Sequence, residues 1–447
     1  MFGLDYNIAV GVCSILILLV LIFMGCHLGI SFLVVGLGGT YALTNFRAML
    51  GLGGETMYNF LASPTFCVLP MFMLMGSLAA RGGFARMAFE SVHTICARIP
   101  ASLAIASAFG SAIFGAICGS TMATAAIFGR LAYPAMREHH YDRRFALGSI
   151  ASSGTFACMI PPSGMFIIFS MFTGISIVEL FFSGFVPGIL TAVVYAISMY
   201  IRAKRNPRLA PISEEEMAVR APQRAKAAFN LWPIIVLATV VLGGLYSGFF
   251  TATEAGAVGA LGALLLGFQN GSLRKKGEVT AAMRESARAT TMLLFIVVTA
   301  LVFSRFLAIT QVPSRIADFL LTWDMSPKVT VLLILVIWFF LGMFMNQTSI
   351  FALTLPVLFP IIVKLGINPI WFCIVAMKLN EIAAVSPPVG MNVFGLVGSV
   401  REVEEVSVED AYMGCFPFLL CDLIVIVLLF IFPEIATYVP DLMMGRL

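Results

Sequence analysis

Two interruptions of apolar sequence, one in each half of the chain, restrict the possible folds more than any other feature. Pro161-Pro162 and Pro387-Pro388 each break a hydrophobic segment, and each follows a polar tip: Gly119-Ser120-Thr121 in the first half, Asn346-Gln347-Thr348-Ser349 in the second. The 226 residues that separate Pro161 from Pro387 also separate Phe114 from Phe340, Ser120 from Asn346, Ala126 from Ala352, Pro134 from Pro360 and Gly164 from Gly390, without a gap. The chain therefore carries two copies of one device, residues 114–164 and 340–390. Proline lacks the backbone N–H and its ring clashes with the preceding turn, so each pair marks a broken helix. Interruptions at matching places in two halves point to the midplane binding site of a transporter built from repeats.

The surroundings of these breaks are a membrane. Of 447 residues, 60% are hydrophobic and 11% charged, too little polarity to cover a soluble surface of this size. Apolar runs long enough for about 30 Å of hydrocarbon recur throughout, which indicates helices and not a barrel. The expected fold is an all-α polytopic membrane protein built as an inverted repeat. The first repeat (1–201) holds spans at 8–24, 28–45 and 60–80, a charged amphipathic stretch at 81–98 lying on the membrane surface, a re-entrant hairpin at 99–136, a broken helix at 145–174 and a span at 175–200. A polar linker, 202–226, follows. The second repeat (227–447) holds spans at 228–249 and 253–268, a basic segment at 274–288, a span at 289–309, a stretch at 311–328, a hairpin at 329–364, a broken helix at 368–400 and a final span at 411–433. Residues 1–24 precede the first basic residue, Arg47, and read as a retained span, not a secretory signal. The nine cysteines form no CxxC pair, so neither a zinc site nor a disulfide framework is indicated.

Charge gives the orientation, because Lys and Arg are retained on the cytoplasmic side. Segments 81–98, 137–144, 202–226, 274–288 and Arg401 together hold 19 of the 27 basic residues. The opposite side holds Arg47, Arg315, Lys328, Lys364 and Arg446. This places the N-terminus outside, the first hairpin entering from the cytoplasm and the second from outside. The net charge of +4 is dispersed and implies no nucleic-acid partner.

A helix broken within the membrane frees carbonyls at one end, which attract a cation, and amides at the next start, which attract an anion. Beside the breaks the side chains are oxygen donors suited to Na⁺: the neutral Ser152, Ser153, Thr155, Ser120, Thr121 and Thr124 in the first copy, and Asn346, Gln347, Thr348, Ser349, Asn380, Glu381 and Ser386 in the second. Ionisable residues at membrane depth are Arg130, Glu254, Arg305, Lys378 and Glu381. Lys378 and Glu381, three apart on one helix, can form an ion pair. Arg130 and Arg305 fit snorkelling or pairing roles. The stretch Thr251-Ala252-Thr253-Glu254-Ala255 opens a helix with Thr253 as expected N-cap. No cluster of His, Asp, Glu or Cys at one depth suggests an enzyme, and a passive channel has no need of two occluding hairpins.

The tip Gly119-Ser120-Thr121, the break Ile160-Pro161-Pro162-Ser163, the turn Thr251–Ala255, the Gly342-Met343-Phe344 approach to Asn346, and Ser386-Pro387-Pro388-Val389-Gly390 together resemble the large membrane subunit of tripartite ATP-independent periplasmic (TRAP) transporters. The similarity extends over essentially the whole chain. Two positions depart from the family pattern: Ala252 stands where Pro is common, and Asn346 where Asp is frequent. The resemblance implies an elevator-type secondary transporter of the bacterial inner membrane, with a scaffold and a mobile domain containing both hairpins. It also implies coupling to Na⁺, an organic acid substrate such as a C4-dicarboxylate or sialic acid, a periplasmic binding protein that delivers it, and a separate small four-helix membrane subunit. On this basis Gly119, Ser120, Thr121, Ser153, Gly154 and Pro162 are expected at a first sodium site, and Met345, Asn346, Thr348, Asn380, Ser386 and Gly390 at a second. Ser120, Thr121, Ser163, Asn346, Gln347 and Thr348 are expected around the substrate. The alternative is a free-standing Na⁺/dicarboxylate symporter of related design.

Overall fold

The computed structural model describes residues 6–212, 214–322 and 326–445; Arg446 lies outside them. The first half comprises α1 (Tyr6–Phe23), α2 (Leu28–Leu43), α3 (Phe46–Leu61), α4 (Val68–Arg81), α5 (Phe84–Cys96), the hairpin α6 (Ser102–Cys118) and α7 (Thr121–Glu138), the broken helix α8 (Arg143–Ser153) and α9 (Gly164–Thr173), and α10 (Ile177–Arg205). Two short helices, α11 (Glu214–Ala218) and α12 (Ala221–Asn230), connect the halves. The second half comprises α13 (Trp232–Tyr246), α14 (Ala252–Gln269), α15 (Glu278–Thr310), α16 (Val312–Leu321), the hairpin α17 (Pro327–Gly342) and α18 (Gln347–Lys364), the broken helix α19 (Pro369–Val385) and α20 (Met391–Val400), then α21 (Val408–Ile431) and α22 (Glu434–Met443). Among the described residues there is no strand, and seven helices are long and apolar enough to cross a membrane.

The hairpins form as their sequences require. The entering arms α6 and α17 have 17 and 16 residues, about 25 Å at 1.5 Å per residue and short of a full crossing. Each returning arm is capped by its tip residue: Ser120 Oγ accepts from Ala123 N at 3.4 Å, and Asn346 Oδ1 from Ser349 N at 2.8 Å. Gly119 adopts φ +66°, a conformation that favours glycine, and its α-carbon lies against the start of α9, where a Cβ would make a tight 3.1 Å contact with Gly164 N. Both broken helices part at the Pro-Pro pairs, whose peptide bonds are cis. Ahead of the first pair a 3₁₀ turn, Gly154–Cys158, continues α8.

Several expectations are corrected. Residues 46–61 form α3, which the Gly-rich sequence concealed; Asn45 Oδ1 caps it by accepting from Ala48 N at 2.9 Å. The basic segment 274–288 and the span 289–309 are not separate: α15 runs unbroken for 33 residues because no Gly or Pro interrupts it. At about 50 Å it is longer than the hydrocarbon core. The linker is partly helical, with α10 extending to Arg205 and α12 lying against α5. The 81–98 stretch buries Phe84, Ala85, Ala88, Phe89 and Val92, and packs on α6. The α14 N-cap is Thr251, not Thr253: its Oγ1 accepts from Glu254 N at 3.3 Å while Glu254 Oε2 accepts from Thr251 N at 2.8 Å, a reciprocal capping box. Thr253 Oγ1 instead donates to Pro64 O. After Pro433 a further helix, α22, turns away from α21.

Two sets of helix packings stand out, and they also touch each other, α15 on α18 and α4 on α6. In one, α4 runs along α14 and α15, and α15 along α2. In the other the two repeats interlock, with α7 on α20, α8 on α21 and α9 on α18. The crossing of α8 and α21 is glycine on glycine: a Cβ on Gly148 would lie 2.0 Å from Gly414 O. At one end of this group Tyr133 OH and Arg137 Nε both donate to Glu404 Oε2 at 2.8 Å, Arg143 bridges Glu404 and Asp410, and Arg144 Nε donates to Asp410 Oδ1 at 2.8 Å. Segment 137–144 of the first repeat is thereby tied to segment 401–410 of the second.

Candidate substrate and ion site

Where the two groups meet, a cavity of about 310 Å³ collects the start of four helices. Its wall contains Gly119 to Met122 at the start of α7, Met345 to Thr348 at the start of α18, Gly164 and Met165 of α9, and Met391 and Asn392 of α20. The first amides of a helix have no partner within it and carry the positive end of its dipole, so four such ends facing one space favour an anion. Among the described residues none of the lining side chains is charged. The part of the wall supplied by Met73 of α4 and Ala289, Met292, Leu293 and Ile296 of α15 is wholly apolar.

The structure brings Gly119, Ser120, Thr121, Met345, Asn346, Gln347, Thr348 and Asn380 together at this cavity. Ser153, Gly154, Pro162, Ser163, Ser386 and Gly390 are not in its lining. Ser153 is fully buried in α8 and its Oγ has no hydrogen-bond partner among the described residues, an oxygen available to a cation. Gly154 packs against Ala125 of α7. Ser163 caps α9, accepting from Met165 N at 3.3 Å, and Ser386 Oγ donates to Ile382 O at 2.7 Å. At the second break Tyr412 OH lies 3.0 Å from Pro388 O and 2.8 Å from Val389 O, so its one proton is shared between those carbonyls or given to one of them. Gly390 sits beside the same ring.

Behind the cavity wall is a charge cluster. Lys378 Nζ lies 2.7 Å from Glu381 Oε2 and 2.6 Å from Asp422 Oδ1, with all three side chains 0% exposed. Tyr195 OH donates to Asp422 Oδ2 at 2.8 Å, and Cys158 Sγ is 3.5 Å from Glu381 Oε1. Gln347 Nε2 donates to that sulfur at 3.6 Å, which links the second tip to the 3₁₀ turn of the first broken helix. Arg305 pairs with Glu55 at 3.5 Å, and Arg130 is exposed.

Sequence reasoning missed Asn392, Asp422 and the α15 wall. Asp422 was recognisable as a lone acid within the span 411–433, and Asn392 as a polar residue just past the break. The α15 residues carry no local signal, because apolar residues in an apolar helix look alike until a neighbour is placed.

The chain matches the model of the family described as "Tripartite ATP-independent periplasmic transporter, DctM component" over residues 15–435. It is 30% identical over 379 residues to the C4-dicarboxylate TRAP transporter large permease protein DctM of Pseudomonas aeruginosa, covering 84% of this chain and 86% of that one. It is 30% identical over 431 residues to the sialic acid TRAP transporter large permease protein SiaM of Vibrio cholerae, covering 95% and 97%. The solved YdaH transporter of Alcanivorax borkumensis, described as having an unusual topology, has a similar fold with TM-score 0.57 at 16% identity, covering 88% of this chain and 90% of that one. With the family model matched across nearly its whole length, the chain belongs to the DctM family, the large permease component of tripartite ATP-independent periplasmic transporters.

Proposed function

We propose that this permease is a Na⁺-coupled elevator-type carrier of the bacterial inner membrane that imports an organic acid handed over by a periplasmic binding protein, in company with a separate small membrane subunit. The observation that carries the reading is the convergence of four helix starts on a cavity lined by no charged side chain among the described residues. Helix amides supply the attraction for a carboxylate, and a co-bound cation offsets its charge where no Lys or Arg does so. Ser153 Oγ, buried and without a partner among the described residues, offers an oxygen for that cation beside the 3₁₀ turn. The polar contacts come from the interlocked group of helices and the apolar wall from α4 and α15, an arrangement in which a substrate can be carried past a surface that holds it by no hydrogen bond. The substrates named for the two relatives, a C4-dicarboxylate and sialic acid, are both carboxylic acids.

The test is uptake of radiolabelled organic acids into proteoliposomes under an inward Na⁺ gradient, with and without the small subunit and binding protein. Accumulation with the full set is expected. Accumulation by this chain alone would favour the free-standing symporter, and accumulation independent of Na⁺ would sink the coupling. Ser120→Ala and Asn346→Ala are expected to lower the apparent Na⁺ affinity in folded protein; unchanged Na⁺ dependence in both would remove these two residues from the ion sites.

A further inference from the structure

Two carboxamides at the cavity have hydrogen-bonding capacity that the protein leaves unused. Asn380 of α19 is 1% exposed and Asn392, the second residue of α20, is 0% exposed. Asn380 Oδ1 accepts from Trp338 Nε1 at 3.0 Å, and its Nδ2 has no partner among the described residues. An indole N–H only donates, so the oxygen is the atom that turns toward Trp338 and the NH₂ is the one left free. Trp338 holds this orientation because it is 1% exposed and packed edge-on against Phe351 and Phe372, at centroid distances of 5.7 and 5.6 Å. Both polar atoms of the Asn392 side chain are likewise without partners. Leaving such a buried group unsatisfied carries a desolvation cost that a bound ligand removes.

We infer that Asn380 and Asn392 form a carboxamide fork that donates to one carboxylate of the substrate, with Trp338 as the positioning residue that aims the Asn380 NH₂ at it. Asn380 is therefore a substrate donor, in contrast to the sodium ligand its residue type suggests. The first amides of α20 lie beside Asn392 and add to the same donor set. The free NH₂ groups of Asn380 and Asn392 favour an acceptor-only group: a carboxylate meets them with two oxygens, while the corresponding amide has one oxygen for them and turns an NH₂ toward the other donor. This inference rests on the carrier reading of the cavity, and binding measurements separate the two.

The experiment uses the full complex in lipid nanodiscs, with thermal stabilisation by succinate and by N-acetylneuraminate compared with that by succinamide, at fixed Na⁺. Stabilisation by at least one acid and none by succinamide is expected. Trp338→Phe, which keeps the ring and removes the donor, is expected to weaken affinity for that acid by about tenfold, ~1.4 kcal/mol, with apparent Na⁺ affinity unchanged. Unchanged acid affinity, or an equal loss of Na⁺ affinity, overturns the fork. Should Trp338→Phe fail to fold, Asn392→Ser carries the same expectation and the same overturning result. A wild-type complex that neither acid stabilises also overturns it. Acid stabilisation that responds to these substitutions, in a complex that accumulates nothing in liposomes, upholds the fork and removes the carrier reading.

Discussion

Lys378 faces two acids in a space closed to water, and its deletion is far more costly than its conversion together with its partners. Lys378→Ala leaves Glu381 and Asp422 buried side by side without a cation, a loss of about 3–5 kcal/mol. The triple substitution Lys378→Met, Glu381→Gln, Asp422→Asn removes the charges together and is expected to recover most of that stability, measured as thermal unfolding of the purified protein in detergent. A single variant no less stable than wild type would show that the cluster is not holding α10, α19 and α21 together. At the hairpin tips the same side chains perform two tasks. Asn346 Oδ1 caps α18, so Asn346→Ala carries a cap loss of about 1 kcal/mol in addition to any effect on ions. Asn346→Asp keeps the cap and is the cleaner probe of charge at that tip.

At the scale of elements, the two repeats are joined by one close crossing and one polar staple. Gly148→Ala places a methyl group 2.0 Å from Gly414 O, in backbone that a side-chain rotation cannot move. The helices α8 and α21 must separate, and a loss of about 1–3 kcal/mol is expected as lowered thermal stability; an unchanged melting temperature would argue against this close approach. The staple responds to acid. Burial raises the Glu404 carboxyl, but hydrogen bonds from Tyr133, Arg143 and Arg137 outweigh it and hold the group below its ordinary value. A carboxylate depressed on folding contributes stability that is full above its unfolded value, near pH 4.3, and is lost as pH falls through the lower folded value. The melting temperature of wild type is therefore expected to drop below about pH 4, and Glu404→Gln to be less stable at neutral pH with a flatter acid limb. Parallel acid limbs in the two proteins would exclude Glu404 as the titrating group.

For the whole molecule, the decisive relation is between an apolar wall and a polar face. Met292 belongs to α15 and Met345 to the second hairpin tip, and both line one cavity. If the hairpin group travels against α4 and α15, tethering the two sides stops transport. In a background free of the native cysteines, the pair Met292→Cys and Met345→Cys joined by a short bifunctional thiol reagent is expected to reduce uptake at least tenfold, with recovery when a reducible linker is cleaved. Uptake that survives complete cross-linking would exclude relative movement of these two surfaces.

Much of this architecture was legible in one dimension, because its causes are local. A lipid solvent demands apolar helices with their backbone bonds satisfied internally, and Pro161-Pro162 and Pro387-Pro388 break those helices whatever surrounds them. The tips at Ser120 and Asn346 carry capping residues in their own sequence. The glycines of α3 mask its pattern, and the change from basic to apolar composition along α15 looks like a boundary although the helix continues through it. What tertiary structure alone decided is which atoms remain free. Trp338 takes one lone pair of Asn380 Oδ1 and leaves the NH₂ free; the Ser386 hydroxyl turns its proton to Ile382 O; Asp422 is an isolated acid until Lys378 arrives from another helix. The sequence by itself determined where the helices break, since backbone chemistry acts between neighbours in the chain, whereas the donor set of the cavity arose only when four helix starts and one aromatic side chain were packed against one another.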